Sequence, residues 1–274
     1  MGTLYLVGTP IGNLEDMSFR AVRVLKEAGL IASEDTRTTR RLLSYFDIHV
    51  PLTSYFEHNK ILKLGHLLNK LKTTDVALVS EAGMPGISDP GYELVQAADE
   101  AGFRVVPIPG PSAAITALAV SGLPTDRFHY LGFLPRKSSA RLRLFEKYSS
   151  LEATLLAYET PHRLNVSLHD IITALGNRRI VVCRELTKLH EEIFRGTVED
   201  AVAHFSEPRG EFTLVVEGSS GKLPSLSGVQ DLIRELKTAG MSTKEALARL
   251  GEDTGLPRKQ LYRMWLGNDR EQFI

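Results

Sequence analysis

Three glycine-rich loops, each directly after a short apolar run, constrain the fold of this chain more than any other feature. GTPIGN (8–13) follows TLYLV, SEAGMPGISDPG (80–91) follows DVALV, and PGPSAA (109–114) follows FRVVPI. Stretches with apolar residues at helical spacing lie between these runs, and such alternation predicts a largely parallel sheet. Because ligands bind outside the carboxyl ends of parallel strands, we expect the three loops to gather at one edge as a ligand pocket.

The pattern changes at about residue 126, after the Gly- and Pro-containing segment GLPTD (122–126). Strand-like runs now outnumber helical ones, which predicts a mixed α/β second domain. A second break in composition, SSGKLPSLSG (219–228), precedes three short amphipathic stretches that suggest a helix-turn-helix-like domain. The expected fold is therefore α/β, with two α/β domains and a small helical domain. The expected domains are 1–122, 123–222 and 223–274.

Composition narrows the class of protein. Apolar residues make up 43% of the 274 residues and charged residues 24%, which is typical of a globular protein. No run of about 18 apolar residues is present, so we expect no membrane span. The N-terminus lacks the pattern of a signal peptide, and Cys183 is the only cysteine. We therefore expect a cytoplasmic protein with no disulfide framework and no metal site.

Charge is balanced overall but uneven along the chain. The 33 basic and 33 acidic residues give a net charge of zero, which argues against indiscriminate binding to nucleic acid. Basic residues nevertheless cluster in 35–41, 135–147 and 178–188. Together these clusters predict one local phosphate-binding surface, whereas any one cluster taken alone is better explained by a solvated helix face.

The loops lack the signatures of several common chemistries. GTPIGN has neither the G-x-G-x-x-G of dinucleotide folds nor the Gly-Lys-Ser/Thr of a P-loop. PGPSA is not a nucleophile elbow, and no H-E-x-x-H is present. Carboxylates such as Glu81 and Asp89 instead suit a ligand that carries hydroxyls and positive charge. This combination favours an adenosine-bearing cation over a nucleoside triphosphate.

Seven segments in fixed order make the sequence more specific than any single motif. They are GTPIGN, SEDTRTTR, SEAGMPGISDPG, PGPSAAITAL, ETPHR, RELTKLHE and GEFTLVVEG. With these segments the chain resembles the tetrapyrrole methylase-like, class III methyltransferase family over residues 3 to 218. The resemblance implies a cleft between two α/β domains, S-adenosylmethionine as cofactor and a homodimer. It also implies 2′-O-methylation of a cytidine in the decoding region of bacterial 16S rRNA, within the 30S subunit.

The resemblance also implies which residues contact the cofactor. The family pattern S-D-A-G-T-P is altered here, because Glu81 and Met84 occupy the aspartate and threonine places. Both the first and the second domain contribute to the expected contacts. They are Pro10, Glu81, Gly83, Met84, Ser112, Ala113, Tyr158, Leu186 and Thr213.

A base that takes the proton of a ribose hydroxyl would speed methyl transfer by about 10²–10⁴-fold. The acidic, histidine and lysine side chains of the motifs are candidates, and the sequence does not decide among them. Glu159 and Lys188 are favoured, although Lys188 needs a lowered pKa for this role. The other candidates are Glu34, Asp35, His162 and Glu185.

Arginines in the basic motifs are expected to hold RNA phosphates. These are Arg37, Arg40, Arg136, Arg163 and Arg184. The helical domain either adds further RNA contacts or has a role in packing or dimerisation. Two alternatives remain: a methyltransferase of the same fold that acts on a tetrapyrrole or a protein side chain, and a non-catalytic nucleic-acid-binding protein. The second leaves the glycine-rich loops unexplained.

Overall fold

A computed structural model describes residues 1–219, 226–254 and 258–267. Met1–Ser149 and Ala153–Gly218 form one compact unit, which contains both α/β domains. Ser150–Glu152 and Ser219–Ile274 form a second, smaller unit. The expected domain boundary at residue 222 lies outside the described residues.

The first sheet is parallel, as the sequence predicts. Its five strands run in the order β3-β2-β4-β1-β5, and each neighbouring pair is parallel. The strands are β1 (Thr3–Val7), β2 (Leu30–Ser33), β3 (Leu52–Ser54), β4 (Val76–Val79) and β5 (Arg104–Ile108). The helices around them are α1 (Phe19–Glu27), α2 (Thr36–Tyr45), α3 (Lys60–Leu71), α4 (Tyr92–Glu100) and α5 (Ala113–Ser121).

Burial on both faces explains why the inner strands of this sheet are apolar without alternation. Every residue of β2 and β4 is buried, as expected for a parallel sheet that helices cover on both sides. Leu25 of α1 packs in one apolar cluster, and Leu67 of α3 and Leu94 of α4 pack in another. The strand ends are thereby fixed, and the loops that follow them start from defined positions.

Sequence analysis missed α2 and β3. Strand β2 ends at Ser33, and the next residues form a helix because the Asp35 side chain accepts a hydrogen bond from the backbone N–H of Arg37 (2.7 Å). The run TRTTRR contains three β-branched threonines, which lower its intrinsic helix propensity, and it contains no apolar residue. Strand β3 has only three residues, too few for a recognisable alternation.

The second sheet is mixed, as the sequence predicts. Its strands run in the order β6-β7-β10-β8-β9, with β6 and β7 parallel and the other pairs antiparallel. The strands are β6 (Phe128–Phe133), β7 (Thr154–Glu159), β8 (Arg179–Arg184), β9 (Glu192–Thr197) and β10 (Phe212–Val216). The helices are α6 (Ser138–Lys147), α7 (Leu164–Leu175) and α8 (Val198–His204).

Three helices make up the described part of the smaller unit: α9 (Leu226–Thr238), α10 (Thr243–Thr254) and α11 (Arg258–Leu266). Their apolar faces share one core, in which Val229, Leu250 and Leu261 are fully buried. Among the residues that the structure describes, no helix is both long and apolar enough to cross a membrane.

A buried ion pair joins α6 to α7. The Arg141 side chain is 2% exposed and donates to the Asp170 carboxylate at 2.7–2.8 Å. Arg141 also donates to the carbonyls of Pro135 and Arg136, both at 2.9 Å. The pair therefore fixes the basic segment that precedes α6.

Removing Asp170 is expected to destabilise the protein strongly. Asp170→Ala leaves the Arg141 charge buried without its partner, which costs about 3–5 kcal/mol in comparable cases. Glu27→Ala breaks the exposed Arg23–Glu27 pair of α1 and is the matched control, with an expected loss below about 1 kcal/mol. Urea unfolding followed by circular dichroism measures both changes. Equal losses in the two variants would contradict this account.

Candidate functional site

The three glycine-rich loops meet at the carboxyl edge of the first sheet. Thr9 and Gly83 exchange two backbone hydrogen bonds, of 2.9 and 3.0 Å. A Cβ atom on Gly8 would lie 2.7 Å from both the Gly110 Cα and the Met84 Sδ. Since no side chain fits between these backbones, the loops form one continuous surface, as the sequence predicts.

A loop of the second sheet packs against the first of these loops. A Cβ atom on Gly12 would lie 2.5 Å from the Lys188 Cγ and 3.0 Å from the Leu186 carbonyl oxygen. Glu185 and Thr187 have left-handed backbones, with φ of 51° and 67°. This conformation is strained for a β-branched residue such as Thr187, and strain of this kind concentrates at functional sites. The Glu191 carboxylate accepts from the Thr187 N–H at 2.6 Å and helps to hold it.

A cavity of about 510 Å³ lies between the loops and the second sheet. This volume is typical of a small-molecule site. Eight of the nine predicted cofactor contacts line the cavity: Glu81, Gly83, Met84, Ser112, Ala113, Tyr158, Leu186 and Thr213. The ninth, Pro10, follows Thr9 in the first loop and is not part of the lining. Their contact with a cofactor stays a prediction.

Two tyrosines of the second sheet reach across to the loops of the first. The Tyr158 hydroxyl accepts a hydrogen bond from the backbone N–H of Ala114 (3.2 Å), in the first turn of α5. The Tyr130 hydroxyl bonds the Ser88 hydroxyl at 2.7 Å, and the two rings meet edge to face at 5.4 Å. Burial, and then Tyr130, raises the pKa of Tyr158, which therefore stays protonated. The pair therefore links the second sheet to two loops of the first.

Three carboxylates line the first-sheet side of the cavity: Glu34, Glu81 and Asp89. None of them forms an ion pair with another described residue. Burial raises the pKa of Asp89 to about 6; the Ser80 hydroxyl opposes this shift and the charge of Glu81 adds to it. Burial also raises the pKa of Glu34, followed by the charges of Asp89 and Glu81. The cavity therefore favours a ligand with positive charge, and Asp89 and Glu34 accept protons more readily than ordinary carboxylates.

Glu159 lines the cavity but is not placed to act as a base. Its side chain is fully buried and binds the Arg163 guanidinium at 2.6 Å. Its carboxylate also accepts from the Thr160 N–H (2.7 Å) and the Ser167 hydroxyl (2.6 Å). Because these bonds satisfy both oxygens, Glu159 has a structural role here, which disfavours its predicted role as the base.

Lys188 also departs from the predicted role. Its ammonium donates to the carboxylates of Glu185 and Glu211, both at 3.0 Å. Partial burial acts to lower the pKa of Lys188, but Glu211 and Glu185 outweigh it and the net shift is upward. A lysine base needs the opposite shift.

The five predicted phosphate contacts fall into two groups. Arg37, Arg40 and Arg136 are exposed, and Arg37 pairs with Asp35 at 3.3 Å. Arg163 donates to Glu159, Thr160 and the Leu134 carbonyl oxygen, so all three guanidinium nitrogens are engaged within the protein. Arg184 donates to the Arg209 carbonyl oxygen (2.8 Å) and to Glu192 (3.1 Å). The structure therefore disfavours Arg163 as a phosphate contact, because it braces the second sheet.

Sequence analysis missed several residues of the cavity. Phe133 and Ile87 line it, and Tyr130 supports it. Phe133 ends a strand and Ile87 lies inside a glycine-rich loop, so neither carries the signal of a charged motif. Ile87 and Met84 are the two large apolar residues of this loop, and that was the available clue for Ile87. Among the described residues, His, Cys, Asp and Glu form no group of three that is arranged to hold a metal ion.

Comparison with known proteins places the chain in a family. The model described as Tetrapyrrole (Corrin/Porphyrin) Methylases matches residues 3–202. Ribosomal RNA small subunit methyltransferase I of Halalkalibacterium halodurans is 50% identical, over 96% of this chain and 94% of the relative. The chain belongs to the ribosomal RNA small subunit methyltransferase I family. The relative of the same name from Escherichia coli O157:H7 is 45% identical, over 96% of this chain and 94% of its own.

Solved structures share the fold at low sequence identity. Diphthine synthase matches with a TM-score of 0.65 and 15% identity, over 79% of this chain and 90% of that one. Uroporphyrin-III-C-methyltransferase from Thermus thermophilus matches with a TM-score of 0.55 and 21% identity, over 79% of this chain and 94% of that one. These matches confirm the predicted fold of this methyltransferase family member.

The raised pKa of Asp89 predicts a pH-dependent change in stability. The folded protein binds this proton more tightly than the unfolded chain, so stability is lost as pH rises from about 4 through about 6. Asp89→Asn removes the charge, and we expect a higher thermal unfolding midpoint than wild type at pH 8. The gain should shrink as pH falls and vanish below about pH 3, where Asp89 is largely protonated in the folded and the unfolded state. Asp99→Asn, on the exposed face of α4, is the control, and a gain independent of pH would contradict the assignment.

Proposed function

We propose that this chain transfers a methyl group from S-adenosylmethionine to the 2′-oxygen of a cytidine in the decoding region of bacterial 16S rRNA. The 30S subunit is the proposed substrate, and the proposed form is a cytoplasmic homodimer. One structural observation carries the methyl-donor part: Glu34, Glu81 and Asp89 line the cavity between the two sheets and have no cationic partner among the described residues. The relatives' names support ribosomal RNA of the small subunit. The nucleotide and its oxygen rest on the seven ordered segments.

The cavity fits S-adenosylmethionine. Glu34, Glu81 and Asp89 suit the positive charge and the ribose hydroxyls of this molecule. Cys183 and Leu186 give a buried apolar wall suited to an adenine ring. Ser112 and Ala113 lie at the N-terminus of α5, where backbone N–H groups favour a carboxylate.

The bound cofactor would supply an activated methyl group, so the protein has to position the acceptor and accept its proton. The proton acceptor is a carboxylate of the first sheet. Asp89 fits best because its pKa of about 6 makes it ionised at neutral pH yet more basic than an ordinary aspartate. Glu34, with its raised pKa, lies on the same side of the cavity.

Labelling of 30S subunits tests the proposed reaction. Purified protein, tritiated S-adenosylmethionine and 30S subunits from a strain that lacks the gene are combined, and the rRNA is then digested with alkali. We expect label in an alkali-resistant dinucleotide that contains 2′-O-methylcytidine. Label in an alkali-labile nucleotide would contradict ribose methylation. Cofactor binding without any label would reject the ribosomal substrate, and the loss of both would favour the non-catalytic alternative.

The pH dependence of the reaction tests the proton acceptor. With saturating cofactor, the single-turnover rate of wild type should rise through about pH 6 as Asp89 ionises. Asp89→Asn should lower the plateau by about 10²–10⁴-fold and remove this rise. Glu81→Gln should move the rise to lower pH, because the charge of Glu81 helps to raise the Asp89 pKa. An unchanged profile in Asp89→Asn would assign the proton to another group.

A further inference from the structure

Two large apolar side chains remain exposed at the cavity. Phe133, the last residue of β6, is 57% exposed, and Ile87, in the loop after β4, is 55% exposed. Both line the cavity, Phe133 from the second sheet and Ile87 from a loop of the first. Single exposed apolar residues are common on protein surfaces, but two that face one ligand cavity from different domains indicate a flat apolar group between them.

The Phe133 ring is held in place before any ligand arrives. It meets the Tyr158 ring edge to face at a centroid distance of 5.4 Å. The next residue, Leu134, is buried, and its N–H donates to the Tyr158 carbonyl oxygen (3.3 Å). Its own carbonyl oxygen accepts from Arg163 at 3.0 Å. Because these hydrogen bonds fix the backbone next to Phe133, its ring can bind a second ring at little cost in conformational entropy.

Two positively charged side chains lie three and four residues after Phe133 in the sequence. Arg136 and Lys137 are both exposed. The buried Arg141 fixes their backbone, since it donates to the Arg136 carbonyl oxygen at 2.9 Å. An exposed aromatic ring beside exposed cations is the combination by which proteins bind an unstacked base and its neighbouring phosphate.

The buried part of the cavity is distinct from the exposed part that Phe133 and Ile87 line. Cys183, Leu186 and Thr213 are 1–7% exposed and form an enclosed wall. This wall suits the adenine ring of the cofactor, whereas Phe133 and Ile87 are exposed to solvent, where a macromolecule can reach them. The two apolar surfaces therefore fit two different rings.

We propose that Phe133 and Ile87 hold the base of the target nucleotide, unstacked from its RNA, while Arg136 and Lys137 contact an adjacent phosphate. This inference rests on the proposed function and adds the means by which the substrate nucleotide is held. Phe133 is then a substrate-binding residue, and the affinity of the protein for S-adenosylmethionine does not depend on the Phe133 ring.

Phe133→Ala tests the proposal, with Phe128→Ala as the matched control. Phe128 lies on the same strand and is 40% exposed, but it does not line the cavity. We expect Phe133→Ala to raise the Kd for 30S subunits, measured without cofactor, by about 5- to 150-fold, the range that loss of base–aromatic stacking gives. Phe128→Ala should bind 30S subunits as wild type does. Calorimetry should give the same S-adenosylmethionine affinity for all three proteins.

Two further variants separate stacking from packing against Tyr158. Phe133→Tyr keeps a ring and should retain wild-type affinity for 30S subunits, whereas Phe133→Leu keeps the bulk and should lose it. Weaker S-adenosylmethionine binding by Phe133→Ala, with 30S binding unchanged, would overturn the proposal and assign the ring to adenine. Equal 30S binding by Phe133→Ala and Phe128→Ala would also overturn it, even if wild type labels 30S subunits. If wild type fails to label them, the proposed function fails and this inference fails with it.

Discussion

Main-chain packing at the end of β1 is the constraint on which the rest of the site depends. Gly8 lies against Gly110 with no room for a side chain, and Thr9 exchanges two hydrogen bonds with Gly83. Three loops that are distant in sequence are thereby fixed relative to one another. Because β1 lies between β4 and β5 in the sheet, the parallel order of the strands brings these loops to one edge. The cavity is built on this edge.

The two sheets contribute different chemistry to the cavity. The first supplies backbone surface and three carboxylates. Burial, and then the charge of neighbouring carboxylates, raises the pKa of Asp89 and Glu34. The second supplies aromatic side chains and an apolar wall, held by internal ion pairs such as Glu159–Arg163. In the proposed reaction the carboxylates attract the cationic cofactor and accept the proton of the ribose hydroxyl, while the aromatic side chains position flat groups. A methyl transfer between a cation and a nucleotide needs both properties.

The positions of the loops could be predicted from the sequence because strand–loop–helix alternation determines where parallel strands end. Residue pairings could not be predicted in the same way. Lys188 and Arg163 have the residue types of a base and a phosphate ligand. Lys188, however, binds the carboxylate of Glu211, which is distant in sequence, and Arg163 binds that of Glu159, at the end of β7. The α2 helix was missed because its first six residues include three threonines and no apolar residue, whereas the cap at Asp35 is visible only in the structure. Phe133 was missed because exposure at a cavity is a property of the fold and leaves no mark on the sequence.

Hydrogen–deuterium exchange with and without S-adenosylmethionine tests the central claim most directly. The claim is that the cofactor binds against the joined loops of the first sheet and the facing wall of the second. We predict added protection of backbone amides in residues 8–13, 80–91, 109–114 and 183–188. The account would be contradicted if saturating S-adenosylmethionine left amide exchange in these segments unchanged, or slowed it only in residues 226–254.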